Sequence, residues 1–338
     1  MRIKFIASLL AIMAVTGCGS KESASVATNQ QTAPSEVTIG YFANLTHAQA
    51  VLGVSSGEFA TAIAPATLKT KVFNAGPSLI EALIADQIDI GYVGPGPVLT
   101  AYARGGGDTI RVIAGAAANG VAIVAGKDSG INTLADLKGK KLATPQLGNT
   151  QDISAKHYLL SVLHQDNVDN VVPVANNEQL QLLASGKIDA AWAPEPWGSR
   201  LLVEAGGKLI AEEKDTWPDK KFTLTLVIAR PKFLKEHPDI VEKILKVHAQ
   251  WTQRLSTEPD KYKTQLGDAL AGLLAGKKLP PGVVDQALPR VEFTDEPLAD
   301  TLTTMAQWSY ELHVVKQPPK LTDLVDTSLL KEAEKSIR

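Results

Sequence analysis

Apolar positions along the chain fall into short runs separated by stretches of helical spacing. Val37-Thr38-Ile39-Gly40-Tyr41 alternates as a strand, and further strands are read at Leu68–Phe73, Ile88–Val93 and Ile110–Gly115. Between them Pro77 to Ala85 carries apolar residues at helical spacing, with proline at its start. Val121 to Val124 follows without an intervening helix and is read as the antiparallel strand that leads out of the first lobe. A second series then runs through a short helix at Leu134–Gly139, strand Lys141–Thr144, a helix to about His164 and strand Val171–Val174. It continues with helix Asn177–Ser185, strand Asp189–Trp192 and helix Pro196–Ala205. Phe222 to Ala229 reads as the return crossing. Beyond it, Val241, Ile244, Leu245, His248 and Trp251 share one helical face, and Leu302, Met305 and Ser309 another. Both helices are expected to pack on the first lobe, and a strap beginning at Pro318-Pro319 ends in a short helix near Leu329. Such alternation of strand and helix predicts parallel sheets covered on both faces.

The two series match. Ile88-Asp89-Ile90-Gly91-Tyr92-Val93-Gly94-Pro95-Gly96-Pro97 is answered by Ile188-Asp189-Ala190-Ala191-Trp192-Ala193-Pro194-Glu195-Pro196-Trp197. Each copy is a short apolar strand that ends in a proline-marked turn, and the helices before them also correspond. Open α/β sheets place ligands at the carboxyl ends of their strands, so two such ends facing one another would form a cleft.

Composition changes this picture little. The 338 residues exceed a single modal domain, and 44% hydrophobic with 21% charged residues describes a globular protein with a sizeable core. A formal charge of −2 gives no reason to expect nucleic acid. The amino terminus stands apart. Arg2 and Lys4 precede an apolar core of eleven residues from Phe5 to Val15, interrupted only by Ser8, a run that as a helix would rise only about 16 Å, too short to cross a bilayer. Residues 1–17 therefore read as a secretion signal. Cys18, the single cysteine, excludes an internal disulfide and makes a poor metal site. The sequence Val15-Thr16-Gly17-Cys18 resembles the bacterial lipobox, with Val15 where leucine is usual; the resemblance implies a diacylated Cys18 at the mature amino terminus. Residues 18–36, rich in Ser, Ala, Thr, Gln and Asn, read as a flexible tether.

Taken together, the lipobox, Ile39 to His47, Gly76-Pro77, Ile88-Asp89-Ile90-Gly91, Leu134 to Lys140 and Ile188-Asp189-Ala190-Ala191 resemble the nitrate, sulfonate and taurine family of solute-binding proteins that serve ABC importers. Agreement runs from Val37 to about Val241. The resemblance implies an α/β, type II periplasmic-binding-protein fold, in which two doubly wound lobes are joined by two crossing strands. Lobe one would comprise 37–124 and 225–338, and lobe two 125–224. It further implies a monomer outside the cytoplasm, periplasmic or at the cell surface, held to the membrane by a lipid on Cys18. That monomer would deliver a small anionic solute to a membrane permease and its cytoplasmic ATPase, with no cofactor and no metal.

Four turns are expected at the cleft. Helix amino termini offer unpaired N–H groups and partial positive charge, which suits an anion without a buried lysine. Asn44, Thr46, Asn149, Thr150 and Gln151 are candidate donors, although each could equally serve as a helix cap. Gly94, Pro95 and Gly96, together with Leu147 and Gly148, complete the turns, the glycines allowing close backbone approach. Tyr41, Phe42 and Trp197 could wall the organic part of a ligand or pack in the core. His47 is a candidate contact or a polar neighbour. Glu195 is the odd residue, because a carboxylate beside an anion cleft repels the ligand unless it is neutralised by an amine on the ligand, by Arg200 or by another base.

The reading that follows is a binding protein for an alkanesulfonate or taurine-like sulfonate. Nitrate or a pyrimidine precursor of thiamine is the alternative solute. An enzyme of pyrimidine synthesis on the same fold is the alternative of another class; the export signal and the absence of a catalytic motif stand against it.

Overall fold

The computed structural model describes residues 34–274, 278–317 and 320–337. The expected signal segment, Cys18, most of the tether and Pro318-Pro319 lie outside the described residues. Among those described, the first series comprises β1 (Glu36–Phe42), α1 (Ala48–Ser55), α2 (Glu58–Ile63), β2 (Thr67–Phe73), α3 (Gly76–Ile84), β3 (Ile90–Val93), α4 (Pro95–Gly105) and β4 (Arg111–Asn119). The second comprises β5 (Val121–Ala125), β6 (Leu142–Thr144), α5 (Thr150–His157), β7 (Val171–Pro173), α6 (Asn176–Ala184), β8 (Ala190–Pro194), α7 (Trp197–Glu204) and β9 (Lys208–Glu212). After β10 (Thr223–Ala229) come α8 (Pro231–Glu236), α9 (Pro238–Thr257), α10 (Pro259–Leu273), α11 (Val283–Ala287), β11 (Val291–Phe293), α12 (Ala299–Glu311) and α13 (Ser328–Lys335).

Two sheets result, in the orders β11-β4-β10-β3-β1-β2 and β7-β6-β8-β5-β9. With β11 set aside, their plans coincide: three parallel strands, then an antiparallel one, then a fourth. In both sheets the antiparallel strand arrives from the other lobe. β5 follows β4 across Asn119-Gly120, and β10 follows β9 across residues 213–222. The first crossing turns on two successive left-handed residues, Asn119 at φ 60° and Gly120 at φ 78°, the pairing that Asn-Gly tolerates best. The crossings lie side by side, since Asn119 N donates to Phe222 O at 3.0 Å.

The repeated Ile-Asp motif has one physical task in both halves. Asp89 N donates to Thr38 O at 2.9 Å while Thr38 N donates to Asp89 Oδ2 at 2.8 Å. Asp189 and Lys141 make the same pair of bonds, at 2.9 and 2.7 Å. Each aspartate thus satisfies a backbone donor near the start of the neighbouring parallel strand and fixes its register. Strands β3, β5 and β8 are buried along their whole length, as strands covered on both faces should be.

Several expectations change. Val121 to Val124 was assigned to lobe one, but as β5 it pairs with β8 and β9 in the five-stranded sheet. A strand without its own crossover helix must pair where the chain delivers it, and Asn119-Gly120 delivers it across. Glu36, the expected last residue of the tether, already pairs with Thr67. The helix expected to reach His164 is α-helical only to His157 and continues as a π-helical turn to Val162. Helix α9 buries Val241, Ile244, Leu245, His248 and Trp251 in the core beside the six-stranded sheet. Helix α12 does not pack on lobe one alone; it touches both α4 and α5 and so straddles the two lobes.

Candidate functional site

The carboxyl ends of β1, β3, β6 and β8 converge on a cavity of about 30 Å3 between the sheets. Phe42, Asn44, Thr46 and His47 line it from the turn after β1, and Pro145, Asn149, Thr150 and Gln151 from the turn after β6. Gly94 and Pro97 follow β3, Pro194 ends β8, and Leu224 and Thr225 come from the crossing strand β10. Asn74, Ala75, Gly76 and Asn176 complete the lining. No Lys, Arg, Asp or Glu is among these residues.

Four helices begin at this wall. Gly76 and Asn176 are the first residues of α3 and α6, while Gly94 and Asn149 are the N-caps of α4 and α5. The ends of α3, α5 and α6 bring unpaired N–H groups and all four ends a partial positive charge, whereas α4 begins Pro95-Gly96-Pro97 and its one early N–H, on Gly96, is taken by Thr150 Oγ1; a partly buried end is worth up to about 2 kcal/mol toward an anion. Micromolar affinity requires about 8 kcal/mol, so side-chain donors must contribute as well.

Those donors are present and unspent. Asn149 Oδ1 caps α5 by accepting from Asp152 N at 2.8 Å, and Asn149 Nδ2 donates to Gln151 Oε1 at 3.2 Å. The second bond orients the Gln151 amide and leaves its Nε2 buried without a protein partner. Thr225 Oγ1 and Asn176 Oδ1 are likewise buried and unpartnered. An unmet buried donor or acceptor costs about 1–3 kcal/mol, and three such atoms are gathered at this one small cavity. His47 Nδ1 accepts from Phe42 N at 3.3 Å, which leaves the ring proton on Nε2. Burial holds its pKa down at about 3, so the imidazole is a neutral donor at ordinary pH.

The lobes meet closely here. Gly96 N donates to Thr150 Oγ1 at 3.2 Å, and a Cβ on Gly94 would lie 2.3 Å from the same oxygen. Glycine at 94 is what allows that approach. On another side, Trp197 Nε1 donates to Asn44 Oδ1 at 2.8 Å. Asn44, Asn74 and Asn176 also border a larger space of about 610 Å3, walled by Phe73, Leu180, Trp197, Leu273 and Leu274. Among the described residues its only charges, Arg200 and Glu204, are paired with each other at 2.5 Å, and the guanidinium lies over the Trp197 ring.

Of the residues expected at the cleft, Phe42, Asn44, Thr46, His47, Gly94, Asn149, Thr150 and Gln151 line the cavity. Trp197 lines only the outer space. Leu147 and Gly148 face a separate apolar groove, where Leu147 is 63% exposed. Tyr41 packs in the core of the first lobe, and Pro95 and Gly96 are buried behind the cavity wall. Glu195 is fully buried and outside the lining; its partners are Arg290 Nη1 at 3.0 Å and Ser199 N at 2.9 Å. Arg200, considered as its partner, pairs with Glu204 instead. Asn74, Gly76, Asn176, Pro194 and Thr225 were not foreseen. Gly76 and Asn176 open the two matched helices, so the repeat itself held a signal for them. Among the described residues no group of three or more metal-ligating side chains is gathered.

A family model described as the NMT1-like family matches residues 30–266. The "Putative aliphatic sulfonates-binding protein" of Bacillus subtilis (strain 168) is 25% identical over 98% of this chain and 97% of its own length. The taurine-binding periplasmic protein of Escherichia coli (strain K12) is 26% identical over 59% of this chain and 61% of its own. Among solved structures, the alkanesulfonate-binding protein SsuA of Xanthomonas axonopodis pv. citri, bound to MOPS, superposes with a TM-score of 0.71 at 22% identity. That match covers 87% of this chain and 99% of SsuA. The nitrate-binding protein NrtA of Synechocystis PCC 6803 gives 0.75 at 13% identity, covering 90% and 89%. At these identities the structural likeness shows the fold, two α/β lobes of the periplasmic-binding-protein type joined by crossing strands.

Proposed function

The chain belongs to the NMT1-like family, and from that premise we propose that it is the extracytoplasmic solute-binding component of an ABC importer, capturing an alkanesulfonate between its lobes and passing it on unaltered to a membrane permease. The observation that carries this reading is the cavity itself: four helix amino termini and the unspent Gln151 Nε2 converge where, among the described residues, no charged side chain stands. Fixed dipoles and neutral donors stabilise a buried anion without the desolvation cost of a buried lysine. The sulfonate head belongs in the small cavity, and the apolar tail belongs in the larger space beyond the three asparagines.

The lining also bears on which sulfonate. Taurine would bring an ammonium group, and neither space offers a carboxylate free to receive it, since Glu204 is already paired. Ethanesulfonate should therefore bind about tenfold more tightly than taurine, a difference of about 1.4 kcal/mol. Calorimetric titration with ethanesulfonate, taurine, nitrate and pyrimidines decides the matter. Equal, weak responses to all anions that vanish in modest salt would overturn the sulfonate reading. Nitrate is the second reading, because a cavity of about 30 Å3 is small for more than an oxyanion head; tighter binding of nitrate than of ethanesulfonate would establish it.

We further propose that Cys18 carries a lipid anchor and that the folded lobes work outside the cytoplasmic membrane, following the basic, apolar and small-residue order of residues 2–18. Cys18→Ala should move the expressed chain from the membrane fraction to the soluble one; an unchanged distribution would refute the anchor.

A further inference from the structure

Glu195 stands where a carboxylate is least expected, with no solvent exposure and close to an anion cavity. Its bonds explain why it is tolerated and suggest what it does. Glu195 N donates to Gly120 O at the first crossing, at 2.9 Å, and Leu45 N donates to Glu195 O at 3.0 Å. Leu45 lies between Asn44 and Thr46, both of which line the cavity. Two residues beyond Glu195, Trp197 closes on Asn44. The turn 195–197 of the second lobe therefore holds the first lobe's part of the cavity wall from outside.

What holds the turn is Arg290. Its Nη1 lies 3.0 Å from Glu195 Oε1, 2.9 Å from Ser199 Oγ and 2.7 Å from Gln286 O. Arg290 immediately precedes β11, which pairs with β4 in the six-stranded sheet, so the ion pair joins the two lobes. Among the described residues no other cation lies within 4 Å of Glu195. A fully buried carboxylate deprived of its partner is strongly unfavourable where it stands, and the turn would shift to relieve it. Neither Arg290 nor Glu195 lines the cavity.

We propose that Arg290 is a positioning residue for solute retention, acting through Glu195 to keep the 195–197 turn seated against the cavity wall. The proposal rests on the solute-binding reading above and adds to it a residue about 245 positions downstream of the cavity residues of the first turn, outside any motif. Because the pair touches no solute, its loss lowers the population of the closed, binding-competent arrangement and weakens every solute by the same factor.

The test is the dissociation rate of ethanesulfonate and of nitrate, followed by intrinsic tryptophan fluorescence, in the wild type, Arg290→Met and Arg290→Lys. The expected result is release about tenfold faster for both anions in Arg290→Met, with their affinity ratio unchanged and Arg290→Lys between the two. Unaltered residence times, or an altered ratio between the anions, would overturn the proposal. A merely structural role would lower the melting temperature without changing release from the folded fraction, and that too would overturn it. Should Arg290→Met fail to fold, Arg290→Lys keeps the charge while losing the planar fork and carries the same comparison. A wild type that holds neither anion overturns the functional reading itself, a result separate from one in which it holds both and the variants hold them equally long.

Discussion

Tyr92 and Trp192 occupy equivalent places in the two lobes, each fully buried in the third parallel strand, and each ends on a buried titratable group. The groups are opposite in kind. Tyr92 Oη meets His248 Nδ1 at 3.0 Å, and His248 Nε2 donates to Gly115 O at 2.9 Å. Trp192 Nε1 donates to Glu213 Oε2 at 2.7 Å, and Trp217 Nε1 to Glu213 Oε1 at 3.1 Å. A duplicated backbone plan thus holds two unrelated polar solutions at one strand position. The plan sets where a side chain points, and each lobe has separately found a partner for it.

The pair has a consequence in pH, with opposite signs. Burial lowers the His248 pKa from 6.5 to about 4, against the opposing pull of Asp295 and Gly115 O, and lowers that of His47 to about 3. Groups depressed in the fold stabilise it above pH 6.5 and withdraw that stability as pH falls toward those values. The first lobe should lose about 3 kcal/mol through His248 alone between pH 6.5 and 4, with His47 adding to the loss. Denaturant unfolding across that range measures it, and a flat profile would break the comparison. Burial raises the Glu213 pKa from 4.5 to about 7, partly offset by its hydrogen bonds from the two indoles. Its contribution is fully present below pH 4.5 and is lost as pH rises through 7. Glu213→Gln should remove that slope and make the protein about 1–3 kcal/mol more stable than the wild type at pH 8. An equal effect of the substitution at pH 4 and pH 8 would show that burial does not shift the titration of Glu213.

The repeat also explains how much could be read in the sequence. The two matched runs from Ile88 and Ile188 located both central strands and both terminal turns, because buried parallel strands are continuous apolar runs and their ends must turn. Strand β9, Lys-Leu-Ile-Ala-Glu, is half-exposed and shows little alternation, and β11 has only three residues, so neither left a usable pattern. At the site, Asn44, His47, Asn149 and Gln151 were legible because they follow strand ends directly. Thr225 was hidden inside an apolar strand, and Asn74 and Asn176 lie at the entries of helices, where asparagine is common without any ligand. Glu195 was rightly singled out as anomalous, but its partner Arg290 lies 95 positions away and no local spacing could have supplied it.

The turns after β3 and β8 show the same divergence as the two aromatic residues. Gly94 and Pro194 both line the cavity from equivalent positions, while the residues just beyond them part company: Pro95 starts a helix, and Glu195 becomes an interlobe tie. One turn runs on into a helix, and the other ties the two lobes together.

The central claim is that an anion is held at the meeting point of four helix ends by neutral donors alone. A crystal structure of the chain with ethanesulfonate tests it directly. The account predicts sulfonate oxygens within about 3.2 Å of Gln151 Nε2 and Thr225 Oγ1, with backbone N–H groups of the helix starts completing the shell and no lysine or arginine nitrogen in contact. A sulfonate seated instead on Arg200, or on any other cationic side chain away from this cavity, would contradict it.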